Sequence, residues 1–216
     1  MQKIRTPQKR RIPGQKKIKV RPRRTIYDTR PQSERQVRFR GYYQQWSMNA
    51  PWILRQHLKL DSAFFSSLRS ETRVLEIGSG TGRLTDYLLK RTPLKPENYE
   101  LLDIAYGEYL PYLKGKIYRL IKAGKLKASQ GNMFTHKYSK KFYDHILVPE
   151  AYFPMNGQET LSGLVEQLMP ALRENGALRI TTVRTGMART GELTRLEKKY
   201  QIEVTSEGGL IIRHKK

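Results

Sequence analysis

Apolar residues follow two alternating periods along the chain from about residue 50 onwards. Short runs rich in β-branched and aromatic residues, typical of buried strands, are separated by stretches whose apolar residues stand three and four positions apart, as in amphipathic helices. Five strands are predicted, at Val74–Ile77, Tyr99–Leu102, Lys125–Gln130, Phe142–Val148 and Ala177–Val183. A terminal hairpin is predicted at Gln201–Thr205 and Gly209–Arg213. Strands that alternate with helices predict an α/β fold with a mostly parallel sheet.

Helices are predicted before and between these strands. Ahead of the first strand, one broken helix or two should bury Ile53, Leu54, Leu58, Phe64, Phe65 and Leu68. Gly124 should close the helix that contains Leu110 to Ile121, because glycine is favoured just past a helix end. A later helix over Leu161–Leu172 is predicted to stop at Asn175-Gly176, and Leu193, Leu196 and Tyr200 mark the last helix.

A glycine-rich turn joins the first strand to the helix after it. Gly78, Gly80 and Gly82 alternate with other residues directly after the apolar run that contains Glu76. Glycine lets the chain reverse sharply and lets backbone N–H groups approach a ligand that a Cβ would push away. Arg83 stands near the position of the third glycine of a dinucleotide fingerprint, and the chain has no G-x-x-x-x-G-K run. A nicotinamide cofactor or a bound triphosphate is therefore disfavoured.

An acidic residue follows the second predicted strand at the spacing expected for a nucleoside ligand. Asp103 lies 21 positions beyond Gly82, at the tip of that strand. A carboxylate about 20 residues past such a turn is where a ribose diol is bound. The turn and Asp103 together predict a ligand that contains adenosine, whereas the alternative is a solvated strand-end carboxylate.

The run Glu76-x-Gly78-x-Gly80-x-Gly82 resembles the first motif of the class I S-adenosylmethionine-dependent methyltransferases. The resemblance implies a Rossmann-like seven-stranded sheet whose last strand is antiparallel, and S-adenosylmethionine as cofactor. In that family the turn lies against the methionine end of the cofactor and the acidic residue helps to hold its ammonium group. A polar residue after the third strand reads the adenine, and an apolar neighbour packs on its ring. The expected cofactor-binding residues are Glu76, Gly78, Ser79, Gly80, Gly82, Asp103, Ile104, Asn132 and Met133.

The tip of the fourth strand is where amino-methyltransferases of this family carry an Asn- or Asp-Pro-Pro-Tyr-like run that holds the target amine. Here Val148 precedes Pro149, and Glu150 follows it, so the polar residue is missing. That departure puts methylation of an exocyclic amine in doubt. Glu150 and Tyr152 are the residues expected to touch the substrate. The Gln-aromatic segment 41–48, a helix and the glycine motif are loosely similar to the start of the rRNA adenine dimethyltransferases.

Charge divides the chain into a tail and a domain. The formal net charge of the 216 residues is +23, and residues 1–40 hold 15 Lys or Arg against Asp28 and Glu34. This proline-containing stretch, which is poor in apolar residues, is expected to be disordered and to bind RNA. A solubilising tail without a partner is the alternative. Residues 41–70 are expected to form an aromatic and helical cap, and 71–216 the cofactor-binding domain.

The composition also excludes some classes of site. The chain has no cysteine, so disulfides and thiolate metal sites are excluded, and no metal site is predicted. No apolar run approaches the ~20 residues needed to cross a bilayer. An intracellular, most simply cytoplasmic, protein is expected, with a mitochondrial location as the alternative.

The expected function is methyl transfer from S-adenosylmethionine to RNA, ribosomal or otherwise structured. Two alternatives stay open. The methylated substrate is a protein, a small molecule or a phospholipid in the first. In the second, the chain is a catalytically inactive component of a ribonucleoprotein assembly. The sequence does not predict the oligomeric state.

Overall fold

A single seven-stranded sheet organises the computed structural model, which describes residues 58–103, 115–149, 160–181, 190–206 and 208–215. The predicted tail at 1–40 and residues 41–57 of the predicted cap at 41–70 lie outside these residues. The helices are α1 (Ser62–Ser67), α2 (Arg83–Arg91), α3 (Gly115–Lys122), α4 (Leu161–Leu168) and α5 (Thr190–Lys199). The strands are β1 (Val74–Ile77), β2 (Tyr99–Asp103), β3 (Lys127–Gln130), β4 (Tyr143–Val148), β5 (Leu172–Ile180), β6 (Tyr200–Val204) and β7 (Leu210–His214). Short 3₁₀ turns stand at Pro96–Asn98 and Met169–Ala171.

The strand order is β3-β2-β1-β4-β5-β7-β6. The pairs from β3 to β5 are parallel, whereas β7 is antiparallel to both β5 and β6. The C-terminal hairpin is thus inserted so that β7 lies next to β5. The order reverses between β1 and β4, and at such a switch point the loops after neighbouring strands diverge and leave a crevice for a ligand. The predicted α/β fold, with its mostly parallel sheet and antiparallel hairpin, is confirmed.

Alternate residues of the strands face two separate cores. One face packs against α4 and α5 and buries Leu75, Ile146, Leu178 and Ile212. The other packs against α1, α2 and α3 and buries Val74, Tyr99, Leu101 and Leu147. The strands β1, β2 and β4 read as nearly continuous apolar runs because both of their faces are covered.

The end of α3 and the start of β3 are set by a glycine. Gly124 adopts a φ of 69°, its N–H donates to the Ile121 carbonyl, and the Lys125 N–H donates to the Leu120 carbonyl. This pair of hydrogen bonds is a Schellman motif, and it ends the helix at Gly124, where the sequence predicted the end. Because Lys125 takes part in the turn, β3 begins at Lys127, two residues later than predicted.

The predicted boundary between α4 and β5 is wrong. The helix ends at Leu168, a 3₁₀ turn that contains Pro170 follows, and β5 starts at Leu172 rather than at Ala177. Asn175-Gly176, expected to stop the helix, lies inside β5. The register shifts there, since Tyr143 pairs with Leu172 and His145 with Ala177, so β5 carries a bulge. The predicted end of the last helix differs from the observed one as well, because α5 ends at Lys199 and Tyr200 begins β6.

The segment before α1 is fastened to the sheet by a buried arginine. Leu58, Phe64 and Leu68 are buried, as predicted, and Phe65 is partly buried. Arg179 of β5 is 6% exposed, and its Nη1 donates to the carbonyls of Leu58 and Lys59 at 3.0 and 2.9 Å. Within the part of the chain that the structure describes, no helix is long and apolar enough to span a membrane.

Candidate cofactor and substrate site

The candidate site lies at the end of the sheet that is formed by the carboxyl ends of the parallel strands. β1, β2, β3 and β4 lead there into the glycine turn, Asp103, Asn132 and Pro149, respectively. These groups stand far apart in sequence, yet the order β3-β2-β1-β4 brings them to the carboxyl ends of adjacent strands. The carboxyl end of a parallel sheet is the usual place for a ligand in such folds.

The glycine turn requires glycine at each of its three positions. Gly78, Gly80 and Gly82 have φ values of 74°, 50° and 70°, a conformation that side chains with a Cβ rarely adopt. Space is limited as well, since a Cβ on Gly82 would lie 3.1 Å from Cγ2 of Ile117 in α3. Helix α2 starts directly after Gly82, so its free N–H groups point towards the turn.

Asp103 ties the end of β2 to this turn. Its side chain is 6% exposed, and Oδ2 accepts the backbone N–H of Gly80 at 2.9 Å. The Gly78 N–H donates to the Leu102 carbonyl at 2.7 Å, which fixes the start of the turn against the same strand. The carboxylate predicted to bind a ribose therefore lies beside the turn predicted to bind the methionine end.

Glu76 lies beneath the turn and is 1% exposed. Its Oε2 accepts hydrogen bonds from the hydroxyl groups of Thr85 and Tyr99, each at 2.7 Å. Burial raises the pKa of Glu76 to about 7, against the lowering effect of the two hydroxyl donors. The charge of Asp103 raises this pKa further. The carboxyl group is thus poised between its neutral and charged forms near neutral pH.

Ser79 is the buried polar group of the turn whose bonding is incomplete. The residue is 6% exposed, and Oγ has no hydrogen-bond partner among the described residues. Buried hydroxyl groups are normally paired, so an orphaned one beside a glycine turn fits a bound polar ligand. The N–H groups of the positive-φ turn, the acceptor oxygens of the buried Asp103 carboxylate and this hydroxyl form a set of hydrogen-bonding groups that suits the amino-acid and ribose groups of S-adenosylmethionine.

Asn132 and Met133 follow β3, as predicted. The Gly131 N–H donates to the Asp103 carbonyl at 3.1 Å and so brings this turn next to the end of β2. Oδ1 of Asn132 accepts the Phe134 N–H at 2.9 Å, which makes Asn132 the first residue of a side-chain-stabilised turn. Met133 is partly buried against the α4 side of the core, and its carbonyl accepts the Tyr138 hydroxyl at 2.9 Å.

The tip of β4 is held by a threonine that the sequence did not single out. The Thr181 N–H donates to the Val148 carbonyl at 3.0 Å, and its hydroxyl donates to the Pro149 carbonyl. Val148 and Pro149 are both buried. Three predicted site residues, Ile104, Glu150 and Tyr152, lie outside the described residues, and their roles stay predictions.

Two further residues of the site were missed because their partners are remote in sequence. Thr85 and Tyr99 stand 9 and 23 positions from Glu76 and bind the same oxygen atom. A hydroxyl one turn into the helix after the glycine motif is a usable sequence signal. A tyrosine at the start of the second strand carries none, since its position opposite β1 depends on the register of the sheet.

Comparison with solved structures identifies the architecture. A methyltransferase from Methanococcus maripaludis described as S-adenosylmethionine-dependent aligns with a TM-score of 0.53 and 14% identity, over 82% of this chain and 91% of that chain. A TehB-like methyltransferase from Corynebacterium glutamicum gives 0.55 and 17%, over 83% and 100%. The fold is that of the class I methyltransferases.

A third similar structure holds ligands. The 1,6-didemethyltoxoflavin-N1-methyltransferase of Burkholderia thailandensis, with its substrate and S-adenosylhomocysteine bound, aligns at a TM-score of 0.51 and 13% identity, over 85% of this chain and 70% of that chain. No protein-family model and no curated protein matches the chain. Of these three proteins, the Burkholderia thailandensis enzyme alone has a substrate in its name, and the likeness of this chain to rRNA adenine dimethyltransferases stays a prediction.

Proposed function

We propose that this protein is an S-adenosylmethionine-dependent methyltransferase that acts on RNA. The observation that carries the cofactor assignment is the buried Asp103 carboxylate, hydrogen-bonded to the glycine turn at the switch point of the sheet. The class I methyltransferase fold of the similar structures supports the same assignment.

Different residues of the described site would bind different parts of the cofactor. Gly78, Gly80 and Gly82 offer the close backbone approach that the methionine end needs, and Ser79 Oγ offers an unpaired hydroxyl. Asp103 would hold the ribose, and Asn132 with Met133 the adenine. When bound, the cofactor supplies a methyl group on a positively charged sulfur, which is an inherently good electrophile. The protein's task is then to align the acceptor with that methyl group and to exclude water, rather than to supply strong acids or bases.

RNA as the substrate rests on charge. Residues 1–40 carry a net +13 and the remaining 176 residues +10, so both parts attract a polyanion. A small-molecule acceptor is the second candidate, because the Burkholderia thailandensis structure is named for methylation of 1,6-didemethyltoxoflavin. The two candidates differ in what the basic residues are for: RNA methylation needs them, whereas methylation of a small molecule does not.

Two measurements test the proposal. Calorimetric titration with S-adenosylmethionine should show binding to the full chain and weaker binding to Asp103→Ala. Transfer of a labelled methyl group should then be measured with structured RNA as acceptor, and the signal should fall steeply as salt is raised. Absence of cofactor binding would overturn the enzyme assignment. Cofactor binding without any transfer to RNA would leave a methyltransferase of another substrate or a catalytically inactive protein that binds the cofactor.

A further inference from the structure

Positive charge in the domain is concentrated in one short segment. Residues 115–141 contain eight Lys or Arg and no Asp or Glu. That segment therefore carries +8 of the +10 that lies outside the tail, which leaves +2 for the other 149 residues after position 40. A surplus this localised is more than a solubilising surface needs, because both signs of charge are normally interspersed.

The structure places most of this charge on one exposed edge of the sheet. The residues concerned, here called the basic edge, are Lys116, Arg119, Lys122, Lys125 and Lys127. They lie on α3, on the turn after it and on β3, which is the strand at one edge of the sheet, and all five are exposed. Helix α3 buries Ile117 on its inner side, so its basic residues line the outer side.

The charges of the basic edge are mostly uncompensated. Lys127 lies 3.6 Å from Glu100, but Lys116, Arg119, Lys122 and Lys125 form no ion pair with any carboxylate in the described ranges. On α5, by contrast, Arg195 and Lys199 share Glu166 at 3.1 and 2.9 Å. Cations without a carboxylate partner among the described residues favour an anionic ligand that supplies one.

An exposed aromatic ring stands among these cations. Tyr118 is 40% exposed and is one of two large apolar residues with high exposure in the described part of the chain. Lys122 Nζ lies 5.8 Å from its ring centroid, one helical turn away. Basic side chains that follow a phosphate backbone, together with a ring on which a base can stack, are the usual means of binding single-stranded nucleic acid.

The basic edge adjoins the candidate site at two points. Ile117 of α3 lies against Gly82 of the glycine turn, and β3 leads directly into Gly131, Asn132 and Met133. A strand of RNA that follows this edge would therefore reach the mouth of the site. Helix α3 lacks an outward apolar stripe that could insert into lipid, which favours nucleic acid over a membrane surface.

We propose that the basic edge, with Tyr118, binds the backbone of the substrate RNA and guides it to the methyl-transfer site. This inference rests on the proposed RNA methyltransferase function. It assigns to the domain a second RNA contact, separate from the tail, and predicts that the contact makes the greater difference to methyl transfer because of its position.

The test compares two full-length triple variants of equal charge. Arg119→Gln, Lys122→Gln and Lys125→Gln remove three cations of the basic edge, whereas Lys95→Gln, Lys198→Gln and Lys215→Gln remove three exposed cations elsewhere. Loss of three phosphate contacts should lower the slope of log affinity against log salt by about 2 to 3. The edge variant should show this loss and the control variant less than a third of it. Tyr118→Ala should weaken RNA binding at least about fivefold.

A second readout does not depend on any substitution. Acetylation of lysines in the wild-type chain, with and without structured RNA, should show protection of Lys116, Lys122 and Lys125 and none of Lys198 or Lys215. Equal salt slopes for the two variants, with no selective protection, would overturn the basic edge while RNA methylation by the wild type still stood. If the edge variant lost binding to vesicles of acidic lipid but kept its RNA binding, the RNA-binding role of the basic edge would be overturned in favour of a membrane contact. Wild-type protein that fails to methylate RNA would overturn the proposed function itself.

Discussion

Glu76 and His145 are ionisable residues on the same face of the sheet, and their pKa values are shifted in opposite directions. Burial raises the pKa of Glu76 to about 7 and lowers that of His145 to about 4. Both shifts disfavour the charged form, since each group is removed from water. The neighbouring guanidinium of Arg179 lowers the pKa of His145 further. Phe64 packs edge-on against the imidazole at 5.1 Å, and Nδ1 has no hydrogen-bond partner among the described residues.

Glu76→Gln should stabilise the protein at high pH. The folded pKa of Glu76 lies above its unfolded value of 4.5, so the folded state binds the extra proton and stability falls as pH rises from about 4.5 to 7. A shift of this size corresponds to about 3 kcal/mol. The amide oxygen of glutamine can still accept the hydroxyl groups of Thr85 and Tyr99. Urea unfolding should therefore give a variant that is more stable than the wild type at pH 8 and nearly equal at pH 4.5.

His145→Leu should show the opposite dependence. The folded pKa of His145 lies below its unfolded value of 6.5, so the unfolded state binds the extra proton and stability is lost as pH falls from about 6.5 to 4. Leucine cannot titrate, and the variant should gain stability relative to the wild type as the solution is acidified, by at most about 3 kcal/mol. In the wild type the two effects oppose each other between pH 4.5 and 6.5. Difference curves with the same slope for both variants would contradict this account.

At the scale of elements, the hydrogen bond between Asp103 and Gly80 joins the end of β2 to the glycine turn. Asp103→Ala removes the acceptor and leaves the Gly80 N–H without it, which should cost about 1–3 kcal/mol of stability as well as cofactor affinity. Asp103→Asn is the matched control, because its amide oxygen can accept the same N–H while the negative charge is lost. Calorimetry and thermal unfolding on the pair separate the two roles.

The two outcomes are distinct. If Asp103 binds the ribose through its charge, Asn should lower S-adenosylmethionine affinity almost as much as Ala while the melting temperature stays close to that of the wild type. If Asp103 only closes the turn, Asn should behave like the wild type in both measurements. Unchanged affinity in both variants, with the fold intact, would remove Asp103 from the cofactor site.

Sequence patterns predicted the strands that lead into the site, β1, β2 and β4, better than they predicted β5 and its contacts. β1, β2 and β4 were predicted to within one residue, because each is a short apolar run bounded by turn residues. The start of β5 was wrong because a bulge and a helix stop use the same residues. At the bulge, a Cβ on Gly176 would lie 3.0 Å from two carbonyl oxygens. The clamp of Arg179 on Leu58 and Lys59 was not predictable, since it joins residues 120 and 121 positions apart.

For the molecule as a whole, charge divides into three parts. The tail carries +13, the segment 115–141 carries +8 and the rest of the chain is close to neutral. If the cations of the tail and those of the basic edge are more than about 8 Å apart, screening at physiological ionic strength should let the two sets bind phosphates largely independently. Their contributions to the salt dependence of RNA binding should then add. Substitution in one should not change the slope that the other contributes.

Deletion of residues 1–40 should flatten the salt response of RNA binding and leave the domain intact. It removes 15 basic residues and two acidic ones, all outside the elements of the sheet and the glycine turn. If six to ten of those cations meet phosphates, the affinity of the full chain should fall by ~10³–10⁵ between ~50 and ~200 mM salt. The truncated chain should lose far less, and its melting temperature and S-adenosylmethionine affinity should match those of the full chain.

The salt dependence of RNA binding that the truncated chain retains can be assigned to particular residues of the domain by substitution. Replacing Arg119, Lys122 and Lys125 with glutamine in the truncated chain should remove most of it, whereas replacing Lys95, Lys198 and Lys215 should not. A truncated chain with the full-length slope would mean that the tail makes no contact with RNA and that the domain carries the whole interaction. A truncated chain that binds RNA weakly but methylates it at saturation as fast as the full chain would assign affinity to the tail and alignment of the acceptor to the domain.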